Sequence, residues 1–161
     1  MPGFVSDSGP FITWARAGRT SLLRQVVGHV FIPPAVAQEL QPSGPPRAGS
    51  DLLQEGWIQV VVLIPGALPT FPSVLGDGER EAILLARQMR STLIVDDYPA
   101  RDFAEKLGIP ILTSLRILAQ CKHLGLISEA APVLEQFVRD GFWLSKAVQE
   151  KYLKQLGETP L

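Results

Sequence analysis

Thr92-Leu93-Ile94-Val95-Asp96-Asp97 is a short apolar run, rich in β-branched residues, that ends in two adjacent carboxylates. Apolar runs of this length, bounded by residues that break regular structure, are typical of buried strands. In open parallel α/β sheets, ligands bind just beyond the carboxyl ends of the strands. The stretch therefore predicts a buried strand and also the edge of the sheet at which a functional site is to be sought.

Strand and helix patterns alternate along the rest of the chain. Besides residues 92–97, we predict strands at residues 4–6, 29–33, 57–64 and 109–112. The predicted helices lie at residues 11–27 (two short helices separated by a turn near Gly18), 34–40, 51–55, 78–90, 99–107, 114–123, 129–140 and 145–156. Strands that alternate with helices predict a three-layer α/β/α sandwich with a central parallel sheet.

Residues 41–50 have the composition of a loop, because they are rich in proline, glycine and serine. A loop within one domain is a simpler interpretation of this stretch than a linker between two domains. We therefore expect a single domain over residues 1–161, with the C-terminal helices in residues 129–157 packed on it.

Composition restricts the class of protein. The 46% share of hydrophobic residues and the mean hydropathy of +0.17 suggest that a partner covers part of the surface. The longest apolar run, residues 60–65, is far too short to cross a bilayer, and the N-terminus lacks a signal-peptide pattern. With Cys121 as the single cysteine, these features predict a cytoplasmic location. With a net charge of −1, the chain has no overall excess of basic residues of the kind that binds nucleic acid.

Three further acids lie at a predicted strand end or on an apolar helix face. Asp7 follows the first strand, with a helix cap as its alternative role. Glu39 lies on the apolar arc of its short helix, where a carboxylate is costly unless it is paired or binds a metal. Glu79 extends the apolar arc of helix 78–90 by one turn, although a first-turn acid also suits the helix dipole. Glu81 is expected to face solvent.

The adjacent acids Asp96 and Asp97 complete this set. Successive residues of a strand point to opposite faces of the sheet, so at most one of the two aims into a shared site. We expect Asp97 to do so, since it stands just before the next helix, and Asp96 to lie behind it. The alternative is that one of them only caps that helix.

Acids gathered from separate segments repel one another and raise their own pKa values unless a cation is bound. Ligand sets made only of oxygen suit the hard ions Mg²⁺ and Mn²⁺. Zinc is disfavoured because His29 and His123 are the only histidines and have no ligand spacing. A glycine-rich phosphate loop and a dinucleotide-binding fingerprint are both missing from the sequence.

Four motifs in this order resemble those of the PIN domain: V-S-D-S-G-P at 5–10, I-P-P-A-V-A-Q-E-L at 32–40, L-G-D-G-E-R-E-A-I-L-L-A at 75–86 and L-I-V-D-D-Y-P-A-R at 93–101. The resemblance spans about residues 4–145 and is strongest to a prokaryotic branch near the VapC-type toxin ribonucleases. It implies a parallel sheet between helices and metal-dependent phosphodiester cleavage, usually of RNA. The catalytic acids and metal ligands that it implies here are Asp7, Glu39, Glu79 and Asp97, with Asp96 as a further ligand.

From these features we expect a Mg²⁺- or Mn²⁺-dependent endoribonuclease that hydrolyses single-stranded RNA. The residues expected to contact the substrate are Ser8, Arg101, Thr113 and Ser114. The resemblance implies a hydroxyl near the last strand, which Thr113 or Ser114 would supply, although many relatives carry glycine where Thr113 stands. Toxin-type relatives imply an antitoxin-type protein partner, and the high apolar fraction suits a homodimer.

Two alternative functions stay open. The first is a catalytically degenerate interaction module that binds a protein partner or nucleic acid without cleaving it. The second is phosphoryl transfer through Asp7, which follows a strand as a phosphoacceptor does. The lysine that this chemistry generally requires downstream is not evident, because Lys106 is misplaced and Lys122 lies on a predicted helix.

Overall fold

The computed structural model describes residues 3–41 and 48–159, so most of the loop predicted at residues 41–50 lies outside the described residues. The described strands form one parallel sheet in the order β3-β2-β1-β4-β5. In chain order they are β1 (Phe4–Ser6), β2 (Val30–Ile32), β3 (Ile58–Val60), β4 (Thr92–Ile94) and β5 (Ile111–Leu112). Because all the strands run the same way, their carboxyl ends share one edge of the sheet.

Helices connect these strands, as the alternating pattern predicted. Those of the described segments are α1 (Ser8–Arg16), α2 (Thr20–Val27), α3 (Pro34–Leu40), α4 (Asp77–Met89), α5 (Tyr98–Lys106), α6 (Ser114–His123), α7 (Ala131–Arg139) and α8 (Lys146–Gln155), with a 3₁₀ turn at Leu52–Gln54. The sheet lies between helices, which confirms the predicted three-layer α/β/α sandwich. Within the described residues, no helix is both long and apolar enough to span a membrane.

The central strand β1 and its neighbour β4 contribute buried side chains to the core. Val5 of β1 is aligned with Phe31 of β2 on one side and with Leu93 of β4 on the other. Val5 and Leu93 are fully buried, as expected for strands covered by helices on both faces. This pairing places the residues that follow β1 and β4 beside each other, and Asp7 N–H donates to the carbonyl of Ile94 at 3.1 Å.

The strand predicted at residues 57–64 was too long, since β3 ends at Val60. The neighbouring strand β2 is followed by Pro33 and Pro34, which have no N–H to extend a ladder. Val61 N–H donates the last bond, to the carbonyl of Ile32 at 2.9 Å. The chain beyond it is irregular, and the side-chain amide of Gln88 binds both the N–H and the carbonyl of Ile64, at 3.0 and 2.7 Å.

The C-terminal helices contact the body of the domain through a few large side chains. Trp14 of α1 and Phe137 of α7 meet edge to face, with ring centroids 4.9 Å apart. The hydroxyl of Tyr152 on α8 donates to the carbonyl of Leu115 on α6 at 2.5 Å. These contacts fix the loop between α7 and α8 relative to α1 and α6.

Candidate active site

Asp7 lies between β1 and α1 and faces the carboxyl edge of the sheet. Asp7 is only 7% exposed, and its Oδ1 atom has no hydrogen-bond partner among the described residues. Its pKa is raised from 3.8 to about 6; burial is the largest cause and the negative charges of Glu39, Asp97 and Asp96 contribute, while the hydrogen bond with the backbone of Ser8 partly offsets them. Although Asp7 occupies the N-cap position of α1, its side chain makes no capping bond within the described chain.

Glu39 reaches the same place from α3. The hydroxyl of Ser8 donates to Glu39 Oε2 at 2.5 Å, which fixes the orientation of that carboxylate. The carboxylate lies directly against the backbone of Gly78 in α4, where a Cβ atom would be only 2.6 Å from Oε2. Glycine at this position therefore lets α3 and α4 approach closely enough for Glu39 to join the site.

Glu79 lies one residue further along α4 and combines two roles. Its Oε1 accepts a hydrogen bond from Gly76 N–H at 3.3 Å, so the alternative role in the first turn of the helix is also present. Its Oε2 is buried and has no partner among the described residues. Burial is the largest of the causes that raise its pKa to about 7, and the neighbouring carboxylates of Asp97 and Asp7 also raise it.

Asp97 and Asp96 differ in their partners. Asp97 Oδ2 accepts from Ala100 N–H at 3.1 Å and so caps α5, while the same side chain lies beside Glu79. Asp96 accepts two bonds from Ser114, from the N–H at 2.7 Å and from the hydroxyl at 2.6 Å. Burial raises the pKa of Asp96, whereas Ser114 and the charge of Arg101 lower it.

The prediction that Glu81 faces solvent was wrong. Its Oε1 accepts a hydrogen bond from Ala35 N–H at 3.1 Å, at the start of α3. The first N–H groups of a helix have no partner within the helix, and the close approach of α3 and α4 supplies this carboxylate as an acceptor. Glu81 therefore holds the two helices together.

The predicted acids of four separate segments thus lie within electrostatic reach of one another: Asp7, Glu39, Glu79, Asp96 and Asp97. The salt bridges found in residues 3–41 and 48–159 are Lys106–Asp102 and Lys122–Glu158, and neither involves these acids. In the same residues, no group of three or more His, Cys, Asp or Glu side chains is arranged to hold a metal ion. The acids are therefore neighbours without forming a completed ligand cage.

A cavity of about 580 Å³ opens beside this cluster. Its lining residues include Asp96, Asp97, Thr113, Arg16, Arg101 and Trp143, the last of which lies on the segment between α7 and α8. Of the residues predicted to contact a substrate, Arg101 and Thr113 line the cavity, Ser8 binds Glu39, and Ser114 is fully buried against Asp96.

Among the cavity residues that the sequence analysis did not single out are two exposed aromatic side chains, Tyr98 and Trp143. Tyr98 was quoted only as part of a motif, and Trp143 was passed over between two helices. The available signal was the F-W-L sequence at residues 142–144, in which a tryptophan stands in a predicted loop. Sequence alone does not reveal that this loop folds back towards the acids.

Comparisons with known proteins agree on the fold. A family model described as a PIN domain matches residues 3–158 of the sequence. Among solved structures, this chain is similar to a PilT N-terminus domain protein from the hyperthermophilic archaeon Sulfolobus solfataricus P2, with a TM-score of 0.58 and 19% sequence identity. That similarity covers 73% of this chain and 91% of the other. No curated protein matches the sequence.

Proposed function

The chain belongs to the PIN domain family, and from this premise we propose that it is a metal-dependent endoribonuclease that hydrolyses phosphodiester bonds of single-stranded RNA. PIN domains are generally nucleases. The observation that carries the proposal is the meeting of acids from four segments at the carboxyl edge of the sheet, with no salt bridge to any of them in the described chain. Binding sites of parallel α/β proteins lie at this edge.

The acids suit a hard divalent cation. We propose that Asp7, Glu39, Glu79 and Asp97 hold Mg²⁺ or Mn²⁺, with Asp96 beside them. Two facts support this assignment: the candidate ligand atoms are all oxygens, and both Asp7 and Glu79 keep one buried oxygen without a partner in residues 3–41 and 48–159. Such an ion supplies Lewis-acid polarisation of a phosphate and lowers the pKa of a water molecule.

The other predicted residues position these acids or meet the substrate. Ser8 orients Glu39, and Ser114 fixes Asp96 through two hydrogen bonds. Arg101 and Thr113 line the cavity, where a guanidinium and a hydroxyl can bind the phosphates on either side of the cleaved bond. We propose that Ser114, being fully buried, acts through Asp96 without touching RNA.

The proposal is tested by cleavage of labelled single-stranded RNA with Mn²⁺. Asp7→Asn and Asp97→Asn should each abolish cleavage, because each removes a charge from the cluster. Asp51→Asn is the matched control, since Asp51 is exposed and its side chain caps nothing in the described structure. Equal cleavage by wild type and by both cluster variants would identify a contaminating nuclease and contradict the proposal.

A second candidate function, protein binding, is favoured by an exposed apolar stretch between β3 and α4. Val62, Ile64, Leu68 and Val74 are each about 70% exposed, in a stretch next to the edge strand β3 that has no charged residue from Trp57 to Leu75. Exposed apolar surface of this kind marks interaction sites. We propose that it serves a homodimer, which analytical ultracentrifugation of wild type and of Val62→Lys would test; an antitoxin-type partner is the competing outcome.

A further inference from the structure

We propose that Trp143 and Tyr98 form a base-stacking subsite, which binds unpaired nucleobases of the RNA that crosses the cavity. The proposal rests on the ribonuclease function proposed above and adds how the substrate is gripped. It concerns residues that lie outside the acid cluster.

Trp143 is held in solvent by a loop that is fixed at both ends. The ring is 86% exposed, whereas the other two tryptophans, Trp14 and Trp57, are buried. Phe142 N–H donates to the carbonyl of Phe137 at 2.8 Å, and Phe142 and Leu144 pack against the core on either side of Trp143. A large aromatic side chain that an anchored loop keeps out of the core is typical of a binding residue.

Tyr98 presents a second ring next to the acids. It is the first residue of α5, directly after Asp97, and it is 66% exposed. The guanidinium of Arg101 lies 5.5 Å from the centroid of its ring, and the charge of Arg101 also reaches Asp96. The ring, the cation and the carboxylates are therefore neighbours at one end of the cavity.

The chemistry of the cavity favours single-stranded nucleic acid. Exposed aromatic rings next to positive charges are the pattern by which proteins stack unpaired bases and bind their phosphates. Arg16 lines the wall together with Arg101, and its Nη1 donates to the carbonyl of Asp140 at 3.4 Å. A volume of about 580 Å³ lies in the range of small-molecule sites. An apolar peptide would bury these guanidiniums without an anion, and a duplex keeps its bases stacked away from protein rings.

The variants separate loss of the ring from loss of the fold. Trp143→Ala and Tyr98→Ala should each weaken binding of single-stranded RNA by about 5- to 100-fold, the range for one stacked base. Trp143→Phe and Tyr98→Phe keep a ring and should retain most of the affinity. Leu124→Ala is the control, because Leu124 is also exposed and apolar but does not line the cavity.

The decisive experiment measures fluorescence anisotropy of a labelled RNA of about ten nucleotides in EDTA, and again with Ca²⁺. One abasic nucleotide is moved along the RNA. At one position, the abasic nucleotide should lower the RNA affinity of wild type as much as Trp143→Ala lowers the affinity for intact RNA. The abasic nucleotide and Trp143→Ala together should lower the affinity no more than either change alone. RNA should also quench the emission of wild type but not of Trp143→Phe, since Trp143 is the exposed tryptophan. Unchanged affinity of Trp143→Ala and Tyr98→Ala, or no binding of RNA by wild type, would overturn the proposal.

This design distinguishes the subsite from the proposed catalysis, because binding is measured without cleavage. Ring-dependent binding of RNA by a protein that cleaves nothing with Mn²⁺ would support the subsite and contradict the ribonuclease function. Cleavage by wild type and by Trp143→Ala with the same KM would overturn the subsite alone.

Discussion

Replacement of Asp7 by asparagine should stabilise the protein in the absence of divalent cations. In the folded protein, burial raises the pKa of Asp7 from 3.8 to about 6. Each pKa unit corresponds to about 1.4 kcal/mol, so the ionised carboxylate destabilises the folded state by about 3 kcal/mol above the higher pKa. Asparagine has nearly the same shape and carries no charge. A carboxylate that is proposed to bind the metal ion is therefore predicted to lower the stability of the folded protein when no ion is bound.

The sign of the pH dependence follows from the direction of this pKa. Because the folded-state pKa is the higher one, the contribution of Asp7 to stability is greatest below pH 3.8 and is lost as the pH rises through about 6. Wild type in EDTA should therefore gain stability relative to Asp7→Asn between about pH 8 and pH 4. The pKa of Glu79 is also raised, to about 7, so its ionisation lowers stability with rising pH in wild type and in Asp7→Asn alike.

The assay is urea unfolding in EDTA at both pH values, with Asp51→Asn as the control at an exposed carboxylate. At the higher pH, Asp7→Asn should exceed wild type by up to about 3 kcal/mol, and Asp51→Asn should equal wild type within about 0.5 kcal/mol. Addition of Mn²⁺ should stabilise wild type and have less effect on Asp7→Asn. If Asp7→Asn is no more stable than wild type in EDTA at about pH 8, the buried charge is not costly and the reasoning is refuted.

Three further predictions concern the supports of the cluster. Gly78→Ala should lower stability by about 1–3 kcal/mol and weaken Mn²⁺ binding in calorimetry, because the added Cβ displaces the Glu39 carboxylate; unchanged Mn²⁺ affinity would contradict this. Ser114→Ala should cost about 1–3 kcal/mol in urea unfolding, because Asp96 loses the hydroxyl donor of a buried hydrogen bond, whereas the exposed Ser21→Ala should cost far less; equal losses would refute it. Mn²⁺ affinity should rise between about pH 6 and pH 8, because protons compete for the two acids whose pKa values are raised; an affinity independent of pH would rule this out.

Local signals predicted the elements that begin with a strong start residue. The helices Pro34–Leu40 and Ser114–His123 were predicted at their observed bounds, because proline suits a first helical turn and the Thr113 hydroxyl caps α6. The strand at residues 57–64 was overestimated because the end of β3 is set by Pro33 and Pro34, which follow the neighbouring strand β2. The spacing of apolar residues within one segment does not show which hydrogen-bond donors or acceptors a neighbouring segment provides.

The same limit applied to the acids. Glu39 and Glu79 were selected because each lies on the apolar side of its helix, and that side can be predicted from the spacing of apolar residues. The same spacing misplaced Glu81, since its partner is the start of α3, which only the packing of α3 on α4 brings near. Trp143 was missed for a related reason: its importance depends on where the loop between α7 and α8 lies, and no local pattern encodes that position.

The hydrogen bonds of the cluster explain how acids that repel one another are held ready for a cation. Glu39 accepts from Ser8, Glu79 from Gly76 and Asp97 from Ala100, so each carboxylate has one oxygen fixed by a nearby donor. Those bonds orient the side chains before any ion arrives, and the ordering cost of binding is correspondingly smaller. If these acids hold the proposed metal ion, the hydrogen bonds and the ion would use different oxygens of the same side chains, because Glu39, Glu79 and Asp97 each give one oxygen to the fold and have a second one available for a ligand.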